Sequence, residues 1–260
     1  MNIVVCVKHV PNPDLPMVVD PDSRRLVRDP AESVLDTADE YGVEIALQLT
    51  EAYGGEVTVV TMGPEAADDA LRRSLAMGAH KAIHIIDDAL AGSDALGTAR
   101  TLAAAIEPLD FDLVVCATES TDAYSGMVPG ALAEALGLPQ LTFAREVEVD
   151  GETITVKRAI DTGVQTIQTT FPALMTVTAS IAEPRYPTFR GLMQAKRVDV
   201  ETRSIADLGV DGAQVGDAGA QERVISIATE SVEKQGVKIY DDGGDSIEQI
   251  VAYLKRIEIV

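Results

Sequence analysis

The sequence predicts an α/β domain built on a doubly wound, mostly parallel sheet, and three patterns predict it. Short, wholly apolar, β-branched runs recur, each followed by a segment with helical spacing and a glycine stop. Strand and helix alternate four times within the first 140 residues or so, as in a sheet covered on both faces by helices. After residue 145 the pattern changes to polar–apolar alternation, which predicts antiparallel strands added to that sheet.

The elements follow in order. Residues 3–7 (Ile-Val-Val-Cys-Val) read as a strand buried on both faces, running into Lys8-His9 and a loop with Pro11, Pro13 and Pro16. Tyr41, Ile45 and Leu49 at four-residue steps mark a helix that Gly54-Gly55 ends. A strand at 57–61 stops at Gly63-Pro64. A helix through Ala70, Leu71, Leu75 and Met77 then stops at Gly78. Strand 82–86, a helix from about 97 to 106, strand 113–117 and a helix at 128–136 ended by Gly137 complete the alternation. Residues 146–150 and 153–158 flank Asp150-Gly151 as a hairpin, 164–169 alternates again, and 172–180 reads as a buried strand. From 183 to 200 there is no clear periodicity, 208–221 reads as an exposed linker, and 246–257 is a helix with Ile247, Ile250, Val251 and Leu254 on one face. The expected organisation is a Rossmann-like nucleotide-binding domain over 1–182, a basic loop over 183–203, and a linker and helix over 204–260.

Composition narrows the function. The 260 residues are 46% apolar but only 4% aromatic, so the core is aliphatic. Forty-two acids against 21 bases leave a formal charge of −21, which repels phosphate backbones and anionic lipid and argues against nucleic acid as partner. Arg outnumbers Lys fourteen to seven, a balance that fits a high-salt cytoplasm as well as an ordinary acidic cytosolic protein. The opening run is too short for a signal peptide, and no apolar stretch approaches the roughly 20 residues that cross a bilayer. The expectation is a cytoplasmic protein with no membrane insertion. Cys6 and Cys116 sit inside apolar runs and read as buried small hydrophobes.

In an open parallel sheet, ligands bind beyond the carboxyl ends of the strands, where strand order reverses. The segments there contain no GxGxxG and no Walker lysine. The most informative is 118–130, which opens directly into a helix. Its small and hydroxyl residues expose backbone N–H groups suited to an anion, and Asp122 suits a ribose hydroxyl or a helix cap. An ordinary capped helix with no ligand is the competing reading. Asp36 to Glu40 likewise reads as a helix start with acids in its first turn. His80 and His84 lack a third ligand, so no metal is expected, and no nucleophile elbow or Cys/His pair is present. Residues 184–203 carry five bases against two acids, interleaved with Phe189, Leu192 and Met193, which suits a protein-docking surface.

Several spaced motifs then resemble one family, the β subunit of electron-transfer flavoprotein, over nearly the whole chain. They include Val7-Lys8-His9-Val10-Pro11, Asp36-Thr37-Ala38-Asp39-Glu40-Tyr41, Gly63-Pro64 and Leu75-Ala76-Met77-Gly78-Ala79. Asp122, Ser125-Gly126-Met127-Val128 and Leu138-Pro139-Gln140 follow, then Arg158 to Gln165, Pro172 to Thr176, and Glu183-Pro184-Arg185-Tyr186-Pro187 with Met193, Ala195 and Lys196. The resemblance implies a nucleotide, usually AMP and in electron-bifurcating relatives a second FAD. It would lie against Cys6, Asp36, Ala38, Asp39, Met62, Thr118, Asp122, Ser125, Gly126, Met127 and Val128. It also implies FAD chiefly on an α subunit facing this one, and a C-terminal extension wrapping that subunit. Arg185, Tyr186, Phe189, Arg190, Leu192 and Met193 would dock flavin dehydrogenases, such as acyl-CoA dehydrogenases, with a membrane quinone oxidoreductase as electron acceptor. The protein itself would be an electron carrier without catalytic groups. The alternative is a stand-alone nucleotide-binding stress or sensor protein, which would end near residue 140–150.

Overall fold

The computed structural model describes residues 1–228, 238–241 and 243–259. They divide into two compact units, Met1–Val224 and Ile225–Val260. In the first, β1 (Ile3–Cys6) leads through a small antiparallel pair, β2 (His9–Pro11) with β3 (Ser33–Leu35), to α1 (Thr37–Tyr53). Next come β4 (Val57–Met62), α2 (Asp68–Met77), β5 (Lys81–Ile85), α3 (Ala95–Ile106), β6 (Leu113–Ala117) and α4 (Met127–Leu136). Strands β7 (Gln140–Ala144), β8 (Glu146–Asp150), β9 (Thr153–Ile160), β10 (Gly163–Thr170) and β11 (Ala173–Val177) follow. Helix α5 (Phe189–Ala195), β12 (Val200–Arg203) and the short α6 (Gly216–Gly219) end the unit. The second unit holds α7 (Ser246–Arg256).

Seven strands form the main sheet in the order β12-β5-β4-β1-β6-β11-β7, and every pairing in it is parallel. Alternate residues of the central strands feed two cores. Ile3, Val5, Val57, Val59, Leu113, Val115 and Met175 pack on one face, and Val4, Val60, Val114, Cys116 and Leu174 on the other. The first face is covered by α1 and α2 and the second by α3 and α4, so the strands are apolar throughout because neither face meets water. The connections from β1 to β4 and from β6 to β11 build the sheet outward in opposite directions. The reversal therefore falls between the neighbours β1 and β6.

Three expectations are corrected. The antiparallel strands do not join the parallel sheet. β8, β9 and β10 form their own three-stranded sheet, and Ile154 and Val156 of β9 pack into the core on the α1 side. Alternation had marked a half-buried strand but not its hydrogen-bonding neighbour. The region 183–200 is not irregular throughout, since it holds α5 and leads into β12, which pairs with β5 at the sheet edge. Residues 208–221 are not a bare linker: Val215 is fully buried against the α3 side, and Gly216 N–H donates to Ser93 Oγ at 2.8 Å. Within the 204–260 extension, residues 229–237, 242 and 260 lie outside the described residues. No helix among the described residues is long and apolar enough to cross a membrane.

Candidate functional site

A cavity of about 1390 Å³ opens at the carboxyl ends of β1, β4 and β6, where the strand order reverses. Cys6, Met62, Cys116 and Ala117 line its floor from those strand ends. The loop after β6 and the start of α4 contribute Asp122, Ser125, Gly126 and Val128. α4 starts from Gly126 in the left-handed conformation (φ 60), with no side-chain cap. Its first N–H groups are left for a partner other than the protein.

Asp122 neither caps that helix nor faces the solvent. Its side chain is fully buried and joins Lys8 Nζ at 2.6 Å to Arg28 Nη2 at 2.6 Å. Burial pushes its carboxyl up, but the two cations and Ser120 outweigh that and hold it below the usual range. The Lys8–Asp122–Arg28 group carries one net positive charge. Arg24, Arg25 and Arg223 also line the cavity, with Arg25 paired to Asp217, and so do the acids Asp22, Asp39, Asp94, Glu119 and Glu222.

Asp39 lines the floor. Its Oδ2 accepts from Lys8 N–H at 2.7 Å, so it holds the chain leaving β1. Burial and the neighbouring Asp36 push this carboxyl well up. Asp36 is buried as the α1 cap, accepting from Ala38 N–H at 3.0 Å and from Thr121 N–H at 2.8 Å. His9, also in the wall, keeps a buried Nε2 with no protein partner, and burial lowers its pKa. The donor set suits a phosphorylated nucleotide: cations and free N–H groups at one side, apolar strand ends at the other.

Of the residues expected to hold a ligand, Cys6, Asp39, Met62, Asp122, Ser125, Gly126 and Val128 come together in this cavity. Asp36, Ala38, Thr118 and Met127 lie off its lining. Asp36 and Thr118 are engaged with the protein itself, the latter donating to Val177 C=O at 2.9 Å. Sequence reasoning missed Lys8, Arg24, Arg25 and Arg28. The available signal was three arginines within five residues of an acidic chain, in the excursion between β2 and β3. His80 and His84 serve the fold: His80 Nδ1 accepts from Val57 N–H at 3.0 Å, and His84 Nε2 meets Gly63 C=O at 3.1 Å. Among the described residues no cluster suited to a metal ion is found.

A second surface lies on α5. Tyr186 and Phe189 are 88% and 81% exposed, and Arg190, Leu192 and Met193 are exposed beside them. Arg185 does not join that surface. Its guanidinium binds the buried Glu44 and the exposed Glu51 of α1, Nε to Glu44 at 2.7 Å and Nη1 to Glu51 at 2.5 Å. At the other end of α5, Arg72 Nη1 of α2 donates to the carbonyls of Ala195 at 2.8 Å and Val198 at 2.7 Å. Between them Gly191 passes so near α2 that a Cβ there would stand 2.3 Å from Ala76 C=O. The helix is thus clamped at both ends, with its apolar side chains turned outward.

Residues 25–208 match the model of the electron transfer flavoprotein domain. The chain is 41% identical to the electron transfer flavoprotein subunit beta of Mycobacterium bovis, covering all of this chain and 99% of the relative. It is 33% identical to that of Thermoanaerobacterium thermosaccharolyticum and 34% to that of Megasphaera elsdenii, in both cases over the full length of both chains. With the strand-order crevice and the clamped, outward-facing α5 already in place, these matches settle the family: the chain belongs to the electron transfer flavoprotein β subunits.

Proposed function

We propose that this chain is one half of a heterodimeric electron carrier of the cytoplasm, holding AMP in the β1–β6 crevice and facing an FAD carried by its α partner. The observation that carries this reading is the shared clamp of Lys8, Asp122 and Arg28 beside the uncapped start of α4. It offers positive charge and N–H donors to a phosphate. Lys8, Arg28 and the α4 amides would hold the phosphate, and Cys6, Met62 and Val128 would flank the base. When bound, the flavin supplies the redox chemistry, and the protein supplies its placement. Phe189, Tyr186, Leu192 and Met193 would receive dehydrogenases such as those of acyl-CoA oxidation, and a membrane quinone oxidoreductase would accept the electrons. The exposed Ile247, Ile250 and Val251 of α7 are the face by which residues 204–260 would grip the α subunit.

A second reading rests on the size of the cavity. Its 1390 Å³ exceeds the roughly 300–1,000 Å³ of most small-ligand pockets, and three further arginines line it. Both features favour a dinucleotide such as a second FAD. Co-expression with the α subunit and quantification of the released nucleotides tests both. One FAD and one AMP per heterodimer supports the first reading. Two FADs and no AMP supports the second, and a complex with no nucleotide beyond one FAD refutes both.

A further inference from the structure

Two thiols lie side by side at the floor of the crevice, Cys6 being also among the residues that would flank the base. β1 and β6 are parallel neighbours with Val5 opposite Val115, so Cys6 and Cys116 occupy the next position on each strand. Parallel neighbours stand about 4.8 Å apart, within the roughly 4.4–6.8 Å Cα separation that a disulfide spans. The two side chains share a face: Cys116 belongs to the core on the α3 side and Cys6 packs against it. The two thiols interact, and that interaction together with burial pushes the Cys116 thiol well up. Asp39 is the charged neighbour and acts in the same direction. Cys6 is only partly buried and lines the cavity, so a small oxidant in the crevice reaches it before Cys116.

We propose that Cys6 and Cys116 form an oxidisable dithiol that a hydroperoxide closes into a cross-strand disulfide, and that closure weakens nucleotide binding in the crevice. Hydrogen peroxide transfers one oxygen to Cys6 Sγ, giving a sulfenic acid and one water. Cys116 Sγ then attacks Cys6 Sγ; the S–O bond breaks, and the oxygen leaves as a second water carrying the Cys116 proton. Two thiols and one peroxide thus become one disulfide and two waters. A disulfide holds its Cβ atoms about 3.8 Å apart, closer than ladder neighbours stand, so closure draws the ends of β1 and β6 together. Lys8 follows β1 and its N–H donates to Asp39, and Ala117 ends β6; all three line the crevice, so its wall shifts with the strand ends. The strain makes the bond readily reducible, which suits a reversible modification. The effect on binding rests on the nucleotide reading above; the chemistry of the pair does not.

The purified full chain is treated with hydrogen peroxide and followed by intact mass, iodoacetamide labelling and equilibrium dialysis with AMP and with FAD. The expected result is loss of two hydrogens and of both labelled thiols, reversed by dithiothreitol. Nucleotide affinity should fall about tenfold on oxidation and return on reduction. In Cys116→Ser, dimedone traps a sulfenic acid on Cys6, and in Cys6→Ser, Cys116 stays reduced. Wild-type protein that keeps both thiols, or gains oxygen on each independently, overturns the proposal. Disulfide formation with unchanged nucleotide affinity overturns the coupling to the crevice. Binding of neither AMP nor FAD before oxidation strikes the nucleotide reading, while the disulfide, scored by mass, stands on its own.

Discussion

Replacing Arg185 by Met removes four side-chain hydrogen bonds, two to Glu44 and two to Glu51, and leaves Glu44 with only Gln48 Nε2 and the backbone N–H of residue 185. The side chain of Glu44 is 4% exposed and that of Arg185 34%. Breaking a fully buried pair costs about 3–5 kcal/mol, and the partial exposure of Arg185 with the two surviving donors brings the expectation to about 2 kcal/mol. For a chain of this size that is about 4–8 °C in Tm. The pH dependence should also weaken and shift. In the native protein burial pushes Glu44 up, but its bonds to Arg185 outweigh this and hold it below 4.5. Its contribution is therefore complete above pH 4.5 and is lost as pH falls through the lowered value. In Arg185→Met the lowering by the guanidinium is lost while Gln48 and the backbone N–H still oppose burial, so the carboxyl moves up from its native position and its contribution is smaller and is lost at a higher pH as pH falls. Thermal unfolding followed by circular dichroism between about pH 4 and pH 8 reads both effects. A Tm within about 1 °C of wild type, with the same pH slope, would refute the claim that this pair anchors the chain entering α5.

Other substitutions separate the two surfaces. Phe189→Ala should leave Tm unchanged, because the side chain is 81% exposed, yet weaken reduction by a dehydrogenase by about 2 kcal/mol, or roughly 30-fold; unchanged turnover would sink the docking assignment. Lys8→Met removes a charge-assisted bond to buried Asp122 and should weaken AMP binding by about 1.5–3 kcal/mol by calorimetry, with equal affinity counting against the phosphate clamp. Gly191→Ala places a Cβ 2.3 Å from Ala76 C=O and should lower stability by about 1–3 kcal/mol and impair docking while nucleotide content stays constant.

The parallel framework was legible because a strand buried on both faces must be apolar at every position, as in Leu113-Val-Val-Cys-Ala117. Edge strands lack that signal. β12 (Val-Glu-Thr-Arg) meets the sheet on one side only, and β7 leaves Gln140 and Phe143 exposed, so neither shows a continuous apolar run. Helix α5 escaped notice for the opposite reason: its apolar residues point outward, and the small Gly191 and Ala195 face inward. The crevice was found from strand ends, which chain order predicts. Its cations were not, because Arg24, Arg25 and Arg28 reach it from an excursion whose return path depends on the β2–β3 pairing and the Val19–Leu26 bridge. By residue type Asp122 suits a ribose hydroxyl or a helix cap, but its partners in the fold are Lys8, more than a hundred positions earlier, and Arg28.

Helix α2 touches both places that the proposed function needs. The residues that lead into it, Ala66 and Ala67, line the crevice, and near its far end Ala76 carries Gly191 of the outward helix, with Arg72 pinning the same helix from mid-length. Ten residues of α-helix span about 15 Å and do not stretch. On the proposed function that one element works as a ruler, setting how far an arriving dehydrogenase would stand from a nucleotide in the crevice and in what direction it would face. One residue inserted into it would swing the landing platform by about 100° around the helix axis while leaving the crevice entrance where it is.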